Sequence, residues 1–215
     1  MARLHDRRQL DAPLPRHRAD GERPAFLAHP QNRNQGTVGG SLAHADPAAE
    51  LPPQALVHGA EMRAVGPRGE RKIAAGDFFV TYLTTVLEPA EILVEARFPM
   101  LPARTGWSVT EVARRHGDFA LAGVMTTMTL DDRGRCATVR LVLFGVGATP
   151  IRVLRAEKVL VGEKPEGALL ERAGRTAGEE IDEPLSDVHA SAEYRRDLAR
   201  VLARRALAEA AARAA

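Results

Sequence analysis

Within six positions this chain sets three glycines and two hydroxyl residues, Gly36-Thr37-Val38-Gly39-Gly40-Ser41. Glycine admits positive φ and lets the backbone come close to a ligand, so the segment reads as a bend. Successive backbone N–H groups in such a bend make a concave anion site. Thr37 and Ser41 add hydroxyl donors, and Glu50 can accept from sugar hydroxyls. These are the parts of a pyrophosphate-binding loop with a ribose or ribityl partner just after it. A Gly-rich hairpin turn that binds nothing is the competing reading of the short motif. Neither common phosphate loop fits: there is no G-x-x-x-x-G-K-[ST], and no G-x-G-x-x-G between a strand and a helix.

The longer string decides between them. Arg33-Asn34, then Gly36-Thr37-Val38-Gly39-Gly40-Ser41-Leu42, then Ala45-Asp46-Pro47 and Glu50-Leu51-Pro52 resemble the second FAD-binding motif of the molybdenum hydroxylase flavoprotein subunits. These are the medium subunits of the aerobic carbon monoxide dehydrogenase and xanthine dehydrogenase family. The resemblance continues through Gly76-Asp77-Phe78-Phe79, Tyr82-Leu83-Thr84-Thr85 and Glu91-Ile92-Leu93-Val94. It also covers Ala113 to Ala120, Phe144 to Pro150 and Ser191 to Arg196, in family order over residues 26–213.

Composition agrees with a globular chain of that kind. Of 215 residues, 45% are hydrophobic and 27% charged, ordinary values for a globular protein. The net charge of +2 sets up no strong field for nucleic acid or a membrane surface. Cys136 is the single cysteine, which excludes an internal disulfide and a four-cysteine iron–sulfur site within this chain. The seven histidines show no metal spacing. No apolar run has the length of a membrane span, and no signal-peptide core stands near the N-terminus, so a cytoplasmic location is expected.

The expected fold class is α+β. A truncated PCMH-type FAD-binding domain is followed by a C-terminal lobe with a three-stranded antiparallel sheet and helices. Residues 1–25 hold six arginines, four acids and three prolines with little apolar periodicity, and read as an irregular segment. Residues 26–102 form the FAD-binding lobe, and residues 103–215 the C-terminal flavoprotein-subunit domain. Leu27 to Pro30 leads into the Gly-rich bend, with turns favoured at Pro30 and Asn32. In the first lobe, a short helix is expected over 48–56, limited by Pro52 and Pro53. Gly66-Pro67-Arg68-Gly69 reads as a hairpin turn, and Asp77 as the cap of a helix burying Phe78, Phe79, Tyr82 and Leu83. Ile92 to Phe98 alternates like a strand. In the second lobe Trp107, Val109, Glu111 and Ala113 recur in period two. The runs Phe119–Leu130 and Cys136–Val146 flank the turn Asp131-Asp132-Arg133-Gly134. Helices are expected over Arg152–Val161, from Pro165 and from the N-cap Ser191.

The resemblance implies FAD as cofactor, with the backbone at Gly36, Thr37, Val38, Gly39, Gly40 and Ser41 on its phosphates. It also implies Asp46 shaping the loop, Glu50 at the ribityl or flavin, and Leu93 on the strand passing the ring. Arg114, Arg115 and Asp118 would stand near the flavin or at a subunit contact, while Tyr194 and Arg195 dock the last helix. The family usually has an earlier Gly-Gly-x-Ser motif on a longer N-terminal lobe, which this sequence does not show; half of the phosphate cradle is expected to be missing. No residue pair looks like an acid–base couple and no triad is present, so no catalytic residue and no metal ligand is assigned. The implied function is electron relay from a [2Fe–2S] small subunit through FAD to a quinone, NAD or oxygen, beside a molybdenum–pterin large subunit. Two other readings remain: a cofactor-free remnant acting only as a subunit-interaction module, and, more weakly, an FAD enzyme of the vanillyl-alcohol-oxidase-like class acting alone.

Overall fold

A computed structural model describes residues 35–115 and 117–215. The expectations for residues 1–25, for the approach from Phe26 to Asn34 and for His116 lie outside the described residues. Among the described residues, helix α1 (Val38–His44) and helix α2 (Leu51–His58) come first. A hairpin of β1 (Glu61–Gly66) and β2 (Gly69–Ala74) follows, closed over Pro67 and Arg68. After a small hairpin, β3 (Phe79–Thr81) and β4 (Thr84–Thr85), the chain runs through β5 (Ile92–Arg97), which pairs antiparallel with β1. The three-stranded order is β2-β1-β5.

The second lobe is built on three long antiparallel strands, β6 (Thr105–Val112), β7 (Ala122–Leu130) and β8 (Cys136–Phe144). These are the three strands expected from the sequence, and a two-residue strand β9 (Ile151–Arg152) joins them on the β8 edge. Helices α3 (Leu154–Leu160), α4 (Gly167–Glu179) and α5 (Ala192–Ala214) complete it. Ser191 caps α5 by accepting from the Tyr194 N–H at 3.2 Å, and Asp131 holds the β7–β8 turn by accepting from the N–H groups of Arg133 and Arg135.

The alternation of the long strands puts apolar residues on both faces of the sheet. Ala122, Val124, Met128, Leu141 and Leu143 face α3, α4 and α5. Met125, Val142 and Phe144 face the first lobe, where they share a core with Leu42, Leu56, Met62 and Phe78. The lobes are therefore joined by packing through one sheet. At about 25 cal/mol for each Å² of apolar surface, this burial is the main force holding them together.

Three local expectations are corrected. Residues 78–85 form the β3–β4 hairpin, not a helix. Phe78 is fully buried, while Tyr82 and Leu83 are exposed at the tip and Leu83 takes φ 51°. The β-branched Val80, Thr81, Thr84 and Thr85 favour extended backbone there. Helix α2 has the expected length of about two turns but runs over Leu51–His58 instead of 48–56, with the prolines in its first turn, where a missing N–H costs nothing. Helical spacing in the last helix suggests a face of Tyr194, Leu198, Val201, Leu202 and Leu207; the buried stripe of α5 instead includes Ala199, Ala203, Ala206 and Ala210 with Leu202 and Leu207, while Tyr194 and Val201 are exposed. Small side chains let the helix lie directly on β6: a Cβ on Gly106 would stand 1.8 Å from the Ala210 carbonyl oxygen.

Candidate cofactor cleft

The Gly-rich segment enters α1 as its first turn. Thr37 is the N-cap, with its hydroxyl accepting from the Gly40 N–H at 2.9 Å and its carbonyl from the Ser41 N–H at 3.0 Å. None of Gly36, Gly39 and Gly40 takes positive φ. Closeness is what the glycines provide: a Cβ on Gly40 would meet Thr37 Oγ1 at 2.7 Å, whereas a Cβ on Gly39 would meet nothing within 4 Å. The first N–H groups of a helix have no intrahelical acceptor. Those of Val38 and Gly39 have none among the described residues.

The other end of α1 delivers the chain to a cleft. Ala45 caps α1 in the left-handed region at φ 54°, a costly conformation for alanine. Asp46 then turns the chain by accepting from the Ala48 N–H at 2.9 Å, and the Pro47 carbonyl accepts from the Gly145 N–H at 2.8 Å. Seven residues at 1.5 Å each make α1 about 10 Å long, so its N-terminal amides stand roughly that far from Asp46.

The cleft has a volume of ≈ 520 Å³ and lies between the lobes. The first lobe contributes Asp46, Glu50 and Tyr82; the second contributes Arg114, Phe119 and His189, among others. Tyr82 and Phe119 are exposed aromatics at its edge, 55% and 62% accessible. The wall behind them is latched by Arg195, which is buried and donates to the carbonyls of Leu121 and Gly145 and to Asp187 at 2.6 Å. Gly145 is obligatory at this junction: it has φ 70°, and a Cβ would stand 2.7 Å from the Ala120 carbonyl oxygen. Arg114 pairs loosely with Asp118 at 3.8 Å and meets His189 Nδ1 at 3.2 Å.

Glu50 is the N-cap residue of α2, yet its side chain does not cap the helix. Burial, with the nearby Asp46 charge adding to it, pushes the Glu50 carboxyl up to about 7 against the pull of its own backbone N–H. Glu111, at the end of β6, is also pushed up to about 7, by burial and then by the charge of Glu50. Its Oε2 is buried with no hydrogen-bond partner among the described residues.

The structure thus gathers Asp46 and Glu50 into the cleft and leaves Gly36 to Ser41 at the far end of α1. Leu93 sits on β5, opposite Ala64, and packs against the first-lobe core; it is not among the residues lining the cleft. Sequence reasoning passed over Tyr82 and Phe119, which line the cleft, and the partly buried Glu111. For Glu111 a signal existed: a carboxylate in the otherwise apolar alternation of Trp107 and Val109.

Comparison with known proteins places this geometry. Residues 8–101 match the family described as FAD binding domain in molybdopterin dehydrogenase, and residues 107–210 the CO dehydrogenase flavoprotein C-terminal domain. The chain belongs to the FAD-binding medium subunits of the molybdenum hydroxylases. Among the relatives of this medium subunit is the 6-hydroxypseudooxynicotine dehydrogenase complex subunit alpha of Paenarthrobacter nicotinovorans. It is 41% identical over 90% of this chain and 65% of the relative. The carbon monoxide dehydrogenase medium chain of Afipia carboxidovorans is 37% identical over 90% of this chain and 66% of its own length. A solved carbon monoxide dehydrogenase from Hydrogenophaga pseudoflava, lacking the Mo-pyranopterin moiety, superposes with a TM-score of 0.85 at 35% identity. The superposition covers 88% of this chain and 66% of that one. The chain spans about 65% of the length of the first relative it matches.

Proposed function

We propose that this medium subunit holds FAD across α1 and the inter-lobe cleft and passes electrons from a [2Fe–2S] partner subunit to an external acceptor such as a quinone, NAD or oxygen. Substrate oxidation would take place at a molybdenum–pterin centre in a large subunit. The observation that carries the reading is the cleft itself, which joins acceptor groups of one lobe to an aromatic and a guanidinium of the other. Its fit to the cofactor is supported by two features: the open approach over Gly39, and the exposed Tyr82 and Phe119 at the cleft's edge.

On this reading the amides of Val38 and Gly39, which have no acceptor among the described residues, take the phosphates with the hydroxyl of Ser41. Asp46 fixes the turn that brings Glu50 into the cleft, and Glu50 accepts hydrogen bonds from ribityl hydroxyls or the ring. Tyr82 and Phe119 offer faces for a planar ring and keep water from it. Leu93 supports the strand beside the site from the core. The bound flavin supplies the electron chemistry, and the chain supplies binding and orientation. The division at residue 102 then separates an FAD lobe from a lobe that closes the cleft and meets the partners.

Co-expression with the neighbouring subunits, followed by an absorbance spectrum and a flavin-to-protein ratio, tests this. One FAD for each chain is expected, and Gly39→Glu, which puts a carboxylate over the phosphate site, should abolish it. A complex that assembles without flavin would overturn the reading in favour of an interaction module.

A further inference from the structure

His189 stands in the cleft wall on a turn built without its ring. Asp187 Oδ1 accepts from the main-chain N–H groups of His189 and Ala190 at 2.8 and 3.0 Å, and the Ala190 carbonyl accepts from the Asp187 N–H at 3.1 Å. Asp187 Oδ2 is held at 2.6 Å by the buried Arg195, which is also tied to the Leu121 and Gly145 carbonyls. The segment before α5 is thereby fixed through its backbone, and the imidazole is left over to line the cleft. Arg114, from the loop after β6, meets the His189 Nδ1 at 3.2 Å. A guanidinium carries only N–H donors, so Nδ1 accepts and the ring holds its proton on Nε2. Nε2 itself has no partner among the described residues.

Donors are scarce around it. Asp46, Glu50, Asp118 and Asp187 line the same cleft and are acceptors when ionised. Arg195 is committed to Asp187 and the wall, and Arg114 to Asp118 and His189. The aromatics Tyr82 and Phe119 suit this cleft to a planar ring, while the α1 amides stand about 10 Å away at the far end of that helix. We propose that His189 is a hydrogen-bond donor to the flavin ring, fixed in its Nε2–H form by Arg114. The role rests on the FAD reading above. A donor held in place favours the reduced ring, whose added negative charge it meets, over the oxidised one. Among carboxylates that oppose such charge, one imidazole then sets how readily the medium subunit takes up electrons.

The test is the midpoint potential of the flavin in the assembled complex, read by spectroelectrochemical titration of its absorbance bands, in wild type, His189→Leu and His189→Gln. The turn is held by main-chain groups and Arg195, so both variants should keep the fold, with unchanged thermal melts and one flavin for each chain. H189L donates nothing. Its ratio of reduced to oxidised flavin at a given potential should fall about tenfold, which for a two-electron couple is a midpoint about 30 mV more negative. H189Q, whose amide still donates, should recover most of that shift. An unchanged midpoint in H189L, an equal shift in both variants, or loss of flavin from H189L would each overturn the proposal. The held ring is checked without cofactor by nitrogen NMR of the full chain labelled with ¹⁵N-histidine, the His189 signals being those absent from H189Q. A proton on Nε2 alone supports the proposal, and a proton on Nδ1 overturns it even where FAD binds. A wild-type complex that assembles without flavin is a different failure: it overturns the functional reading, and this role with it, before any variant is compared.

Discussion

Two sets of buried carboxylates lie against the central sheet and differ in how they are satisfied. Glu157, on α3, accepts from the Leu141 N–H at 2.9 Å and from Arg152 Nε and Nη2 at 2.8 and 2.7 Å. Every lobe of its charge has a donor, so it ties α3 and β9 to β8 and has no capacity left for a ligand. Glu50 and Glu111 have no ion pair among the described residues, and Glu111 keeps a buried oxygen with no partner among them. Residue type is shared, Glu157 being buried and Glu50 and Glu111 half-buried, and the supply of donors differs. A carboxylate closed by its own chain is structural, whereas one left open is available to a proton or a ligand.

The largest effect should come from breaking the closed carboxylate. Glu157→Ala leaves Arg152 and the Leu141 amide unpaired beside the core. Breaking such a buried pair costs about 3 kcal/mol, since Arg152 keeps some access to water. Urea denaturation should show this loss with flavin content unchanged in the variant that remains folded. An equal loss of flavin would mean that the two carboxylate sites are not independent.

Arg195→Met comes next. It removes the buried guanidinium that holds the Leu121 and Gly145 carbonyls and Asp187. Loss of these charge-assisted bonds should cost about 2 kcal/mol and open the cleft wall. Urea denaturation and protease sensitivity between Gly117 and Leu121 are the measurements. A stable, protease-resistant variant would deny that Arg195 is the latch.

The open pair should respond with the opposite sign. The Glu111 carboxyl is raised from 4.5 to about 7 in the folded chain. The native state therefore binds more protons than the unfolded state within that window, and stability falls as pH rises from 4.5 through about 7. Glu111→Gln removes the penalty. Above neutrality it should stabilise the apo chain by about 1 kcal/mol, the shift being discounted for access of water to a half-buried group. Thermal melts at acid and alkaline pH decide it; an equal effect at both would sink the assignment.

The closed and open sites were unequally legible in the sequence. The three long strands announced themselves through alternation and through the turn at Asp131, and α5 through Ser191. Asp46 and Glu50 could be named because they lie in one continuous string with Gly36 to Ser41. Glu111 could not, because its burial is known only once the chain is packed. Its one local trace was a charge where alternation called for an apolar residue. The 78–85 hairpin was misread for a related reason: apolar residues at helical spacing also suit a two-stranded tip when the residues between them are β-branched. Arg195 read only as a docking residue, because its three acceptors come from three separate loops, before β7, after β8 and before α5.

His58 offers the smallest and most discriminating contrast. It closes α2 on the first-lobe side of the sheet, buried against Phe98, and its Nδ1 has no partner among the described residues. Burial, and then the nearby Arg140 charge, lower it from 6.5 to about 4. Here the unfolded state binds more protons, so stability is present above 6.5 and is lost as pH falls through about 4. This slope opposes that of Glu111, and because the two windows overlap between 4.5 and 6.5 the two contributions offset each other there, leaving a shallow plateau. His58→Phe keeps a ring against Phe98 and should remove about 1 kcal/mol of the acid-side loss while leaving the alkaline side unchanged. In combination with Glu111→Gln the profile should flatten on both sides, additively, because the two groups share no partner. A His58→Phe protein whose alkaline limb also moves would show that α2 carries strain from its C-terminal end to Glu50 at its start. The open carboxylates would then be coupled to the rest of the first lobe through that helix.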